Sequence, residues 1–313
     1  MKTKSQKPKK KKRDFIALHD YSTEEILKLI ALARAIKKRP AAYRRALAGK
    51  TLGMIFHKKS TRTRVSFEVG IYQLGGIGLF FGPDDLQLAR GETIEDTAKV
   101  LSRYLDGIMI RTFNHDHVVE LARHATIPVI NGLTDFNHPC QVLADLMTIQ
   151  EHFGKFPKKI AYVGDGNNMA HSLLIGAAKV GMSIAIVCPD LYAPRPDVVE
   201  QAKADRKDPK TDVIVTSNIP EGVRNADVIY TDVWTSMGQE AEKQARLKAF
   251  TGFQVDSAVM KLAAPHAVFM HCLPAHRGEE VAAEVIDGPQ SIVFDEAENR
   301  LHAQKAIMVT LMK

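Results

Sequence analysis

The sequence has few of the features that mark exported, membrane-bound or metal-dependent proteins. Only three of its 313 residues are cysteines, Cys140, Cys188 and Cys272, and their spacing matches no zinc motif. Because no export signal accompanies this odd number of thiols, we expect reduced cysteines and a cytoplasmic location. No apolar run approaches the roughly 20 residues that a membrane-spanning helix needs, so we expect no membrane partner.

Positive charge is scarce outside one short segment. The formal net charge is +7, from 43 Lys and Arg against 36 Asp and Glu, but eight of the basic residues lie among the first 13, which contain no acid. That leaves 35 basic against 36 acidic residues in the rest of the chain. This balance argues against a nucleic-acid partner. We expect residues 1–13 to form a disordered basic tail.

Short apolar runs alternate with amphipathic stretches along the rest of the chain. This alternation predicts an α/β protein with two domains, each an open parallel sheet with helices on both faces. We place these domains at residues 14–150 and 151–297, and expect a C-terminal helix, 298–313, to pack back on the first. The predicted strands are 51–56, 77–81, 107–111, 127–130, 160–163, 183–188, 212–216, 227–231, 267–270 and 291–294.

The loop after the first predicted strand combines hydroxyl and guanidinium groups at the start of a helix. It reads Ser60-Thr61-Arg62-Thr63-Arg64. Open parallel sheets bind ligands beyond the carboxyl ends of their strands, and a helix N-terminus offers free N–H groups to an anion. A helix cap alone does not need three hydroxyls and two arginines. The loop therefore predicts a phosphate site.

Polar residues follow two further predicted strands at the same edge. Arg111 ends the third strand, although a strand-end arginine is also a common surface residue. His138 and Gln141 flank Pro139 at a helix start, three residues apart, so both can face one direction. They can hold a carbonyl oxygen and an amide NH2, but a capping histidine and a surface glutamine would give the same pattern.

The segment Gly164-Asp165-Gly166-Asn167-Asn168 resembles half of a dinucleotide-binding fingerprint. The position of the third glycine is Met169, which disfavours a nucleotide-dependent dehydrogenase. Two adjacent amides at a helix start are better suited to the polar backbone groups of an amino acid.

Asp232 and Cys272 each follow a predicted strand of the second sheet. A carboxylate at a sheet edge can bind an ammonium group. A cysteine nucleophile needs a base beside its sulfur, but neighbours in a strand point to opposite faces, so we expect His271 to point away from Cys272. A metal site formed by His271, Cys272 and His276 has no recognised spacing. We therefore expect no metal and no organic cofactor.

Taken in order, four motifs resemble the aspartate/ornithine carbamoyltransferase superfamily, and within it the ornithine enzymes. They are Ser-Thr-Arg-Thr-Arg at 60–64, His-Pro-Cys-Gln at 138–141, Asp-Val-Trp-Thr-Ser-Met-Gly at 232–238 and His-Cys-Leu-Pro at 271–274. The resemblance runs from about Phe15 to the C-terminus and includes residues 96–101 and 298–300. His57 departs from it, because the family commonly has an acid there.

The resemblance implies a site for each substrate. The residues implied for carbamoyl phosphate are Ser60, Thr61, Arg62, Thr63, Gln87, Arg111, His138, Gln141, Cys272, Leu273 and Arg300. Those implied for L-ornithine are Asn168, Asp232, Ser236 and Met237. Arg111, His138, Asp232 and Cys272 are the implied catalytic residues. Gln87 is expected to reach the site of a neighbouring subunit in a homotrimer or an assembly of trimers.

The resemblance also implies the reaction. The carbamoyl group would pass from carbamoyl phosphate to the side-chain amine of L-ornithine through a tetrahedral intermediate, giving L-citrulline and phosphate. The alternative is a carbamoyltransferase for putrescine, N-acylornithine or aspartate. The segment 232–239 favours free ornithine, since the second carboxylate of aspartate would need a cation where Asp232 stands. A binding protein that has lost catalysis is disfavoured, because every implied ligand is present.

Overall fold

The computed structural model describes residues 12–87 and 91–313. Most of the predicted basic tail therefore lies outside the described residues, but its last two residues belong to the folded body. Lys12 donates to the carbonyl oxygens of Ala122 and Ala125, and Arg13 forms an ion pair with Glu25 at 2.6 Å. The prediction of a tail that extends to residue 13 is therefore wrong at its end, because these two side chains find partners on the body.

The first half of the chain forms a four-stranded parallel sheet with helices between its strands. Its elements are α1 (Thr23–Lys38), α2 (Pro40–Tyr43), β1 (Thr51–Phe56), α3 (Thr61–Gln73), β2 (Ile77–Phe81), α4 (Ile94–Tyr104), β3 (Gly107–Arg111), α5 (His115–His124) and β4 (Val129–Leu133). The strand order is β2-β1-β3-β4. Strand β2 lies at one edge and leaves apolar side chains of Ile77, Leu79 and Phe80 exposed.

The second half forms a five-stranded parallel sheet in the order β7-β6-β5-β8-β9. Its elements are α6 (Pro139–Phe153), β5 (Lys159–Val163), α7 (Asn168–Val180), β6 (Ser183–Val187), α8 (Pro196–Ala204), β7 (Val213–Thr216), α9 (Ile219–Val223), β8 (Val228–Thr231), α10 (Lys243–Ala249), α11 (Ser257–Leu262), β9 (Val268–His271), α12 (Ala283–Ile286) and α13 (Val293–Met312). The predicted α/β class with two parallel sheets is confirmed.

The predicted strands agree with the structure best in the first sheet. Strands β1, β2 and β3 have the predicted bounds, whereas β4 begins two residues later than predicted. The strand predicted at 291–294 is wrong. Ser291 forms one isolated bridge to Phe269, and α13 begins at Val293. A short apolar run such as Ile292-Val293-Phe294 fits either a strand or the first turn of a buried helix, so periodicity could not decide.

Two long helices connect the sheets. Helix α6 is buried over most of its length, and α13 packs against α1, α3 and α6. The largest apolar cluster runs through both halves, from Met54 and Phe56 in the first sheet to Tyr162 and Tyr230 in the second. Side chains of α6 and α13 contribute to this shared core and so link the two sheets.

Local sequence signals fix the starts of the helices at this junction. Ser60 caps α3 by accepting a hydrogen bond from the backbone N–H of Thr63, and Asn167 caps α7 through Met169 and Ala170. Pro139 occupies the first turn of α6, where its missing N–H has no cost. Among the helices of the described segments, none is both long and apolar enough to cross a bilayer.

Candidate active site

The carboxyl ends of both sheets open onto one cavity of about 650 Å³. Fourteen of the fifteen predicted site residues line it: Ser60, Thr61, Arg62, Thr63, Arg111, His138, Gln141, Asn168, Asp232, Ser236, Met237, Cys272, Leu273 and Arg300. The exception is Gln87, which is exposed and lies in the segment that follows β2. The cavity thus brings together residues that are up to 240 positions apart in the sequence.

The predicted phosphate loop meets the cavity at the N-terminus of α3. The Ser60 hydroxyl accepts from the backbone N–H of Thr63 at 3.2 Å, which leaves the first helical residues, Thr61 and Arg62, lining the cavity. N–H groups in the first turn of a helix lack intrahelical partners and carry partial positive charge. Arg64 is different: it stacks on the ring of Phe80 at 3.8 Å and pairs with Glu68, outside the cavity.

Two further arginines are buried beside this helix start. Arg111 Nη1 and Arg300 Nη2 donate to the Thr63 hydroxyl at 3.3 and 3.2 Å. Burial, followed by repulsion from Arg300 and Arg62, lowers the pKa of Arg111 to about 9, so the guanidinium stays charged at neutral pH. Within the described residues, no carboxylate forms an ion pair with either buried arginine. This uncompensated positive charge is suited to a ligand with two negative charges.

His138 is buried next to these positively charged side chains. Burial, together with Arg300, Arg111, Lys58 and Arg62, lowers the pKa of the imidazole well below its usual range. The ring is therefore neutral, and its buried Nδ1 has no hydrogen-bond partner among the described residues. The backbone N–H of His138 donates to the Ser172 hydroxyl at 2.7 Å, which anchors the start of α6 to α7. A neutral imidazole held in this way can donate one hydrogen bond to a carbonyl oxygen.

Asp232, just after β8, places a buried negative charge in the same cavity. Its Oδ1 accepts from the backbone N–H of Val233 at 2.8 Å and from Cys272 Sγ at 3.1 Å, and its Oδ2 accepts from Asn167 Nδ2 at 3.0 Å. All three donors are neutral, and no basic side chain of the described segments lies within ion-pair distance. A buried carboxylate without a cation is suited to an ammonium ligand.

The prediction that His271 points away from Cys272 is wrong. One ring nitrogen of His271, the Cys272 sulfur and an Asp232 oxygen lie within 4.8 Å of one another. Strand β9 ends at His271, so the alternation of side chains does not extend to residue 272. Nevertheless, His271 Nδ1 accepts from the backbone N–H of Leu273 at 2.8 Å, and Nε2 pairs with Glu280 at 3.1 Å. Both ring nitrogens are thus engaged.

The Cys272 sulfur is a thiol in this arrangement. Burial, then the charge of Asp232, raises its pKa well above the usual range. A thiol that donates to Asp232 is a weak nucleophile. His276, considered with His271 and Cys272 in the disfavoured metal site, falls into a separate group with Glu279 and Glu280.

The segment that follows Asp232 has little regular structure. Ser236 is half-buried, Met237 is 46% exposed, and the 3₁₀ turn Glu240–Glu242 is the only helical element before α10. Arg246 of α10 holds this segment by donating to Asp165 at 2.9 Å and to the carbonyl oxygen of Trp234 at 3.1 Å. The segment after Asp232 is therefore held by Arg246 near Trp234, whereas Met237 is exposed to solvent.

Two family models match most of the chain. Residues 13–151 match the carbamoyl-phosphate-binding domain of aspartate/ornithine carbamoyltransferases, and residues 157–311 match their aspartate/ornithine-binding domain. The chain belongs to the aspartate/ornithine carbamoyltransferase family. The predicted family is thereby confirmed, and the cavity lies between the two matched segments.

Relatives within this carbamoyltransferase family cover nearly the whole chain. A protein named ornithine carbamoyltransferase from Oceanobacillus iheyensis is 60% identical over 305 residues, covering 96% of this chain and 95% of the relative. Another of that name from Symbiobacterium thermophilum is 61% identical, with coverages of 96% and 98%. The solved ornithine carbamoyltransferase from Pyrococcus furiosus superposes with a TM-score of 0.92 at 52% identity, covering 96% of this chain and 97% of that one.

Sequence reasoning missed several polar residues of this carbamoyltransferase cavity. Lys58 is buried beside the phosphate loop and pairs with Asp135 at 2.8 Å. Asn167, rather than Asn168, contacts Asp232, whereas Asn168 Nδ2 donates to the carbonyl oxygen of Thr134 at 2.7 Å. The capping position of Asn167 was a signal that could have separated the two amides. Asp145 and Glu296, two buried acids that accept from Gln141, had no comparable signal in the sequence.

Proposed function

We propose that this carbamoyltransferase uses L-ornithine as its acceptor, converting carbamoyl phosphate and ornithine to citrulline and phosphate. The observation that carries the proposal is a single cavity that holds three arginines at a helix N-terminus and a buried carboxylate, Asp232, without a cation. The names of relatives at 60 and 61% identity support the same acceptor. The charge pattern matches a dianionic donor and a cationic acceptor.

The donor half of the cavity is formed by Ser60, Thr61, Arg62, Thr63, Arg111, His138, Gln141 and Arg300, with Cys272 and Leu273 closing it. The hydroxyls, Arg62 and the start of α3 hold the phosphate. Arg111 and His138 hold the carbonyl oxygen, and Gln141 contacts the carbamoyl NH2. The crowding of Arg62, Arg111 and Arg300 supports these roles, because such a cluster is stabilised by a phosphate dianion.

The acceptor half consists of Asn168, Asp232, Ser236 and Met237. Asp232 holds the ammonium of the ornithine backbone, and the other three position the rest of the amino acid. An aspartate acceptor would place its second carboxylate against Asp232, which would be unfavourable in a buried site.

The reaction follows from the charges of the two halves. The neutral side-chain amine attacks the carbonyl carbon of carbamoyl phosphate, and negative charge develops on the carbonyl oxygen. Arg111 and the neutral His138 donate hydrogen bonds to that oxygen, as in an oxyanion hole. The bond from carbon to the phosphate oxygen then breaks, and Arg62 with the helix N-terminus stabilises the leaving phosphate. The attacking nitrogen gives up one of its two protons to this phosphate, so that the products are the neutral ureido group and hydrogen phosphate. Because a lysine-like amine has a pKa of about 10.4, the amine must lose a proton before attack.

Initial rates with four acceptors test the proposal. We expect a ureido product from ornithine at a kcat/KM at least 100-fold above those for aspartate, putrescine and N-acetylornithine, since a buried polar site rejects partners that leave its groups unpaired. A preference for one of the other three amines would contradict the ornithine assignment. The Arg62→Ala variant serves as the inactive control.

We further propose a homotrimer in which Gln87 contributes to the donor half of a neighbouring subunit. The exposed apolar side chains on the edge strand β2 support an interface on this side of the first sheet. Mixing tests the shared site. Arg62→Ala and Gln87→Ala homotrimers should each be impaired, and random reassembly in equal amounts should restore about one site in four. Hybrid trimers that show only the average of the two activities would contradict it.

A further inference from the structure

Two fully buried acids, Asp145 of α6 and Glu296 of α13, lie beneath the cavity and do not line it. Both accept from the same side-chain nitrogen: Gln141 Nε2 donates to Asp145 Oδ1 at 2.8 Å and to Glu296 Oε1 at 3.1 Å. The two carboxyl groups therefore adjoin each other below Gln141. Buried acids are costly unless they are paired and hydrogen-bonded, so this arrangement calls for a physical explanation.

Glu296 is also bound from the second sheet. The Tyr230 hydroxyl donates to Oε1 at 2.9 Å, and the backbone N–H of His271 donates to Oε2 at 3.0 Å. Tyr230 and His271 lie on β8 and β9, the strands that lead to Asp232 and Cys272. The acid pair thus rests on two adjacent strands of the second sheet, which gives it a fixed position relative to Asp232 and Cys272.

Burial disfavours negative charge on both acids of this pair. Burial raises the pKa of Asp145 to about 7, against the opposing effects of the Gln141 hydrogen bond and the Arg300 charge. Burial, then repulsion from Asp145, raises the pKa of Glu296 well above its usual range. The geometry shows in addition that each acid offers an acceptor oxygen to Gln141 Nε2.

This acceptor surface determines which end of the Gln141 amide faces the ligand. Because Nε2 lies between two carboxyl oxygens, the other end, Oε1, accepts from Arg300 Nη1 at 2.5 Å on the cavity side. If the amide turned over, Oε1 would face the carboxyl oxygens and Nε2 would face a guanidinium, and both contacts would be unfavourable. The acids thus exclude the alternative orientation.

We propose that Asp145 and Glu296 are positioning residues that keep the acceptor atom of Gln141 towards the donor substrate and so make the site select a carbamoyl group over an acyl group. This inference rests on the proposed donor half. Carbamoyl phosphate carries an NH2 group that donates to Oε1. Acetyl phosphate has the same phosphate and carbonyl but carries a methyl group there, which leaves Oε1 with one partner fewer. Sites that pair a buried polar atom with the substrate reject analogues that lack the partner.

The variant Asp145→Leu tests the proposal through the ratio of two affinities. KM for carbamoyl phosphate and the inhibition constant of acetyl phosphate are measured in citrulline formation, with calorimetric binding of both phosphates as a second measurement. We expect Asp145→Leu to lower the preference for carbamoyl phosphate at least tenfold and to change acetyl phosphate binding less than threefold. The conservative Asp145→Asn, whose Oδ1 still accepts from Gln141, should keep the preference within threefold.

A matched control separates positioning from general damage to α6. Thr148 lies one turn away, is equally buried, and bonds Asn299 rather than Gln141. Thr148→Val should either lower the affinities for carbamoyl phosphate and acetyl phosphate equally or leave both unchanged. If Asp145→Leu also weakens both equally, or if Asp145→Asn loses the preference as fully as Asp145→Leu, the positioning role is wrong.

A wild-type measurement covers the case in which Asp145→Leu does not fold. Neutron diffraction from crystals with carbamoyl phosphate locates the amide hydrogens of Gln141, and Nε2 turned towards the ligand would overturn the proposal. The calorimetry also separates this inference from the proposed function. If the wild type forms no citrulline but still prefers carbamoyl over acetyl phosphate, the acceptor is wrong and the positioning role stands. Equal binding of the two phosphates would overturn the positioning role alone.

Discussion

The donor half and the acceptor half of the cavity are held in place in different ways. In the donor half, the side chains of Thr63, Arg111, His138 and Arg300 are buried; the first three lie at strand ends or helix starts, and Arg300 lies within α13. In the acceptor half, Asp232 is similarly buried, but Met237 is 46% exposed on a loop that Arg246 ties at its base. The proposed phosphate site is thus a preset arrangement of buried side chains, whereas much of the proposed acceptor site is formed by a more exposed loop.

The largest effect is expected from a substitution in the donor half of the cavity. Arg62→Ala should lower kcat/KM by at least 10² to 10³, the range typical for the loss of one donor to a developing charge. Because Arg62 is half-buried at a helix start and takes no part in the core, thermal melting should stay close to that of the wild type.

Arg64→Ala is the matched control for this change. Arg64 lies in the same helix turn but contacts Glu68 and Phe80, so its variant should retain near-normal turnover. A folded Arg62→Ala enzyme as active as Arg64→Ala would remove the phosphate-loop assignment.

A smaller and more selective effect is expected from the acceptor half. Asp232→Asn keeps the size of the side chain but removes the charge, and a hydrogen bond to a charged group contributes roughly 1.5–3 kcal/mol. We therefore expect KM for ornithine to rise roughly 10- to 100-fold, while binding of carbamoyl phosphate alone stays within about threefold. Steady-state kinetics with each substrate varied would show the difference. An equal loss of affinity for both substrates would mean that the two halves are not energetically separate.

Features set by neighbouring residues could be predicted from the sequence, whereas contacts between distant residues could not. The Ser60–Thr63 segment could be proposed as a phosphate site because its residues are consecutive and capping is a local signal. Strand β1 was correct because an isolated apolar run between polar residues has few alternatives, whereas the run at 292–294 fits a helix as well as a strand. Asp145 and Glu296 were missed because they are 151 positions apart, and neither has a neighbour in sequence that implies their contact. Long-range pairing in the core decides such cases, and no local pattern reports it.

Cys272→Ser sharpens the comparison at the boundary between the halves. Cys272 donates to Asp232, and a serine hydroxyl can make the same contact. We expect activity to persist, with KM for ornithine raised roughly threefold to tenfold, since a shorter and more polar group changes the pocket against Asp232.

Intact-protein mass spectrometry of the wild type with carbamoyl phosphate alone should show no added mass, because the pKa of the thiol is raised and it is not ionised. A stable carbamoyl adduct on Cys272 would replace direct attack with a covalent mechanism.

The smallest effect is expected from removing residues 1–11, which carry most of the basic tail and none of the assigned ligands. Because chain termini that carry no site residues usually tolerate truncation, both KM values should stay within about twofold and the melting temperature within about 2 °C. Deleting residues 1–13 goes further, since Lys12 bonds two carbonyl oxygens at the end of α5 and Arg13 pairs with Glu25. That longer deletion should lower the melting temperature by a few degrees and still spare both KM values, because α5 and α1 support the first sheet away from the cavity. Kinetics and thermal melting of the two truncations side by side check this. A loss of activity in the shorter one would mean that the tail completes a site or a subunit interface.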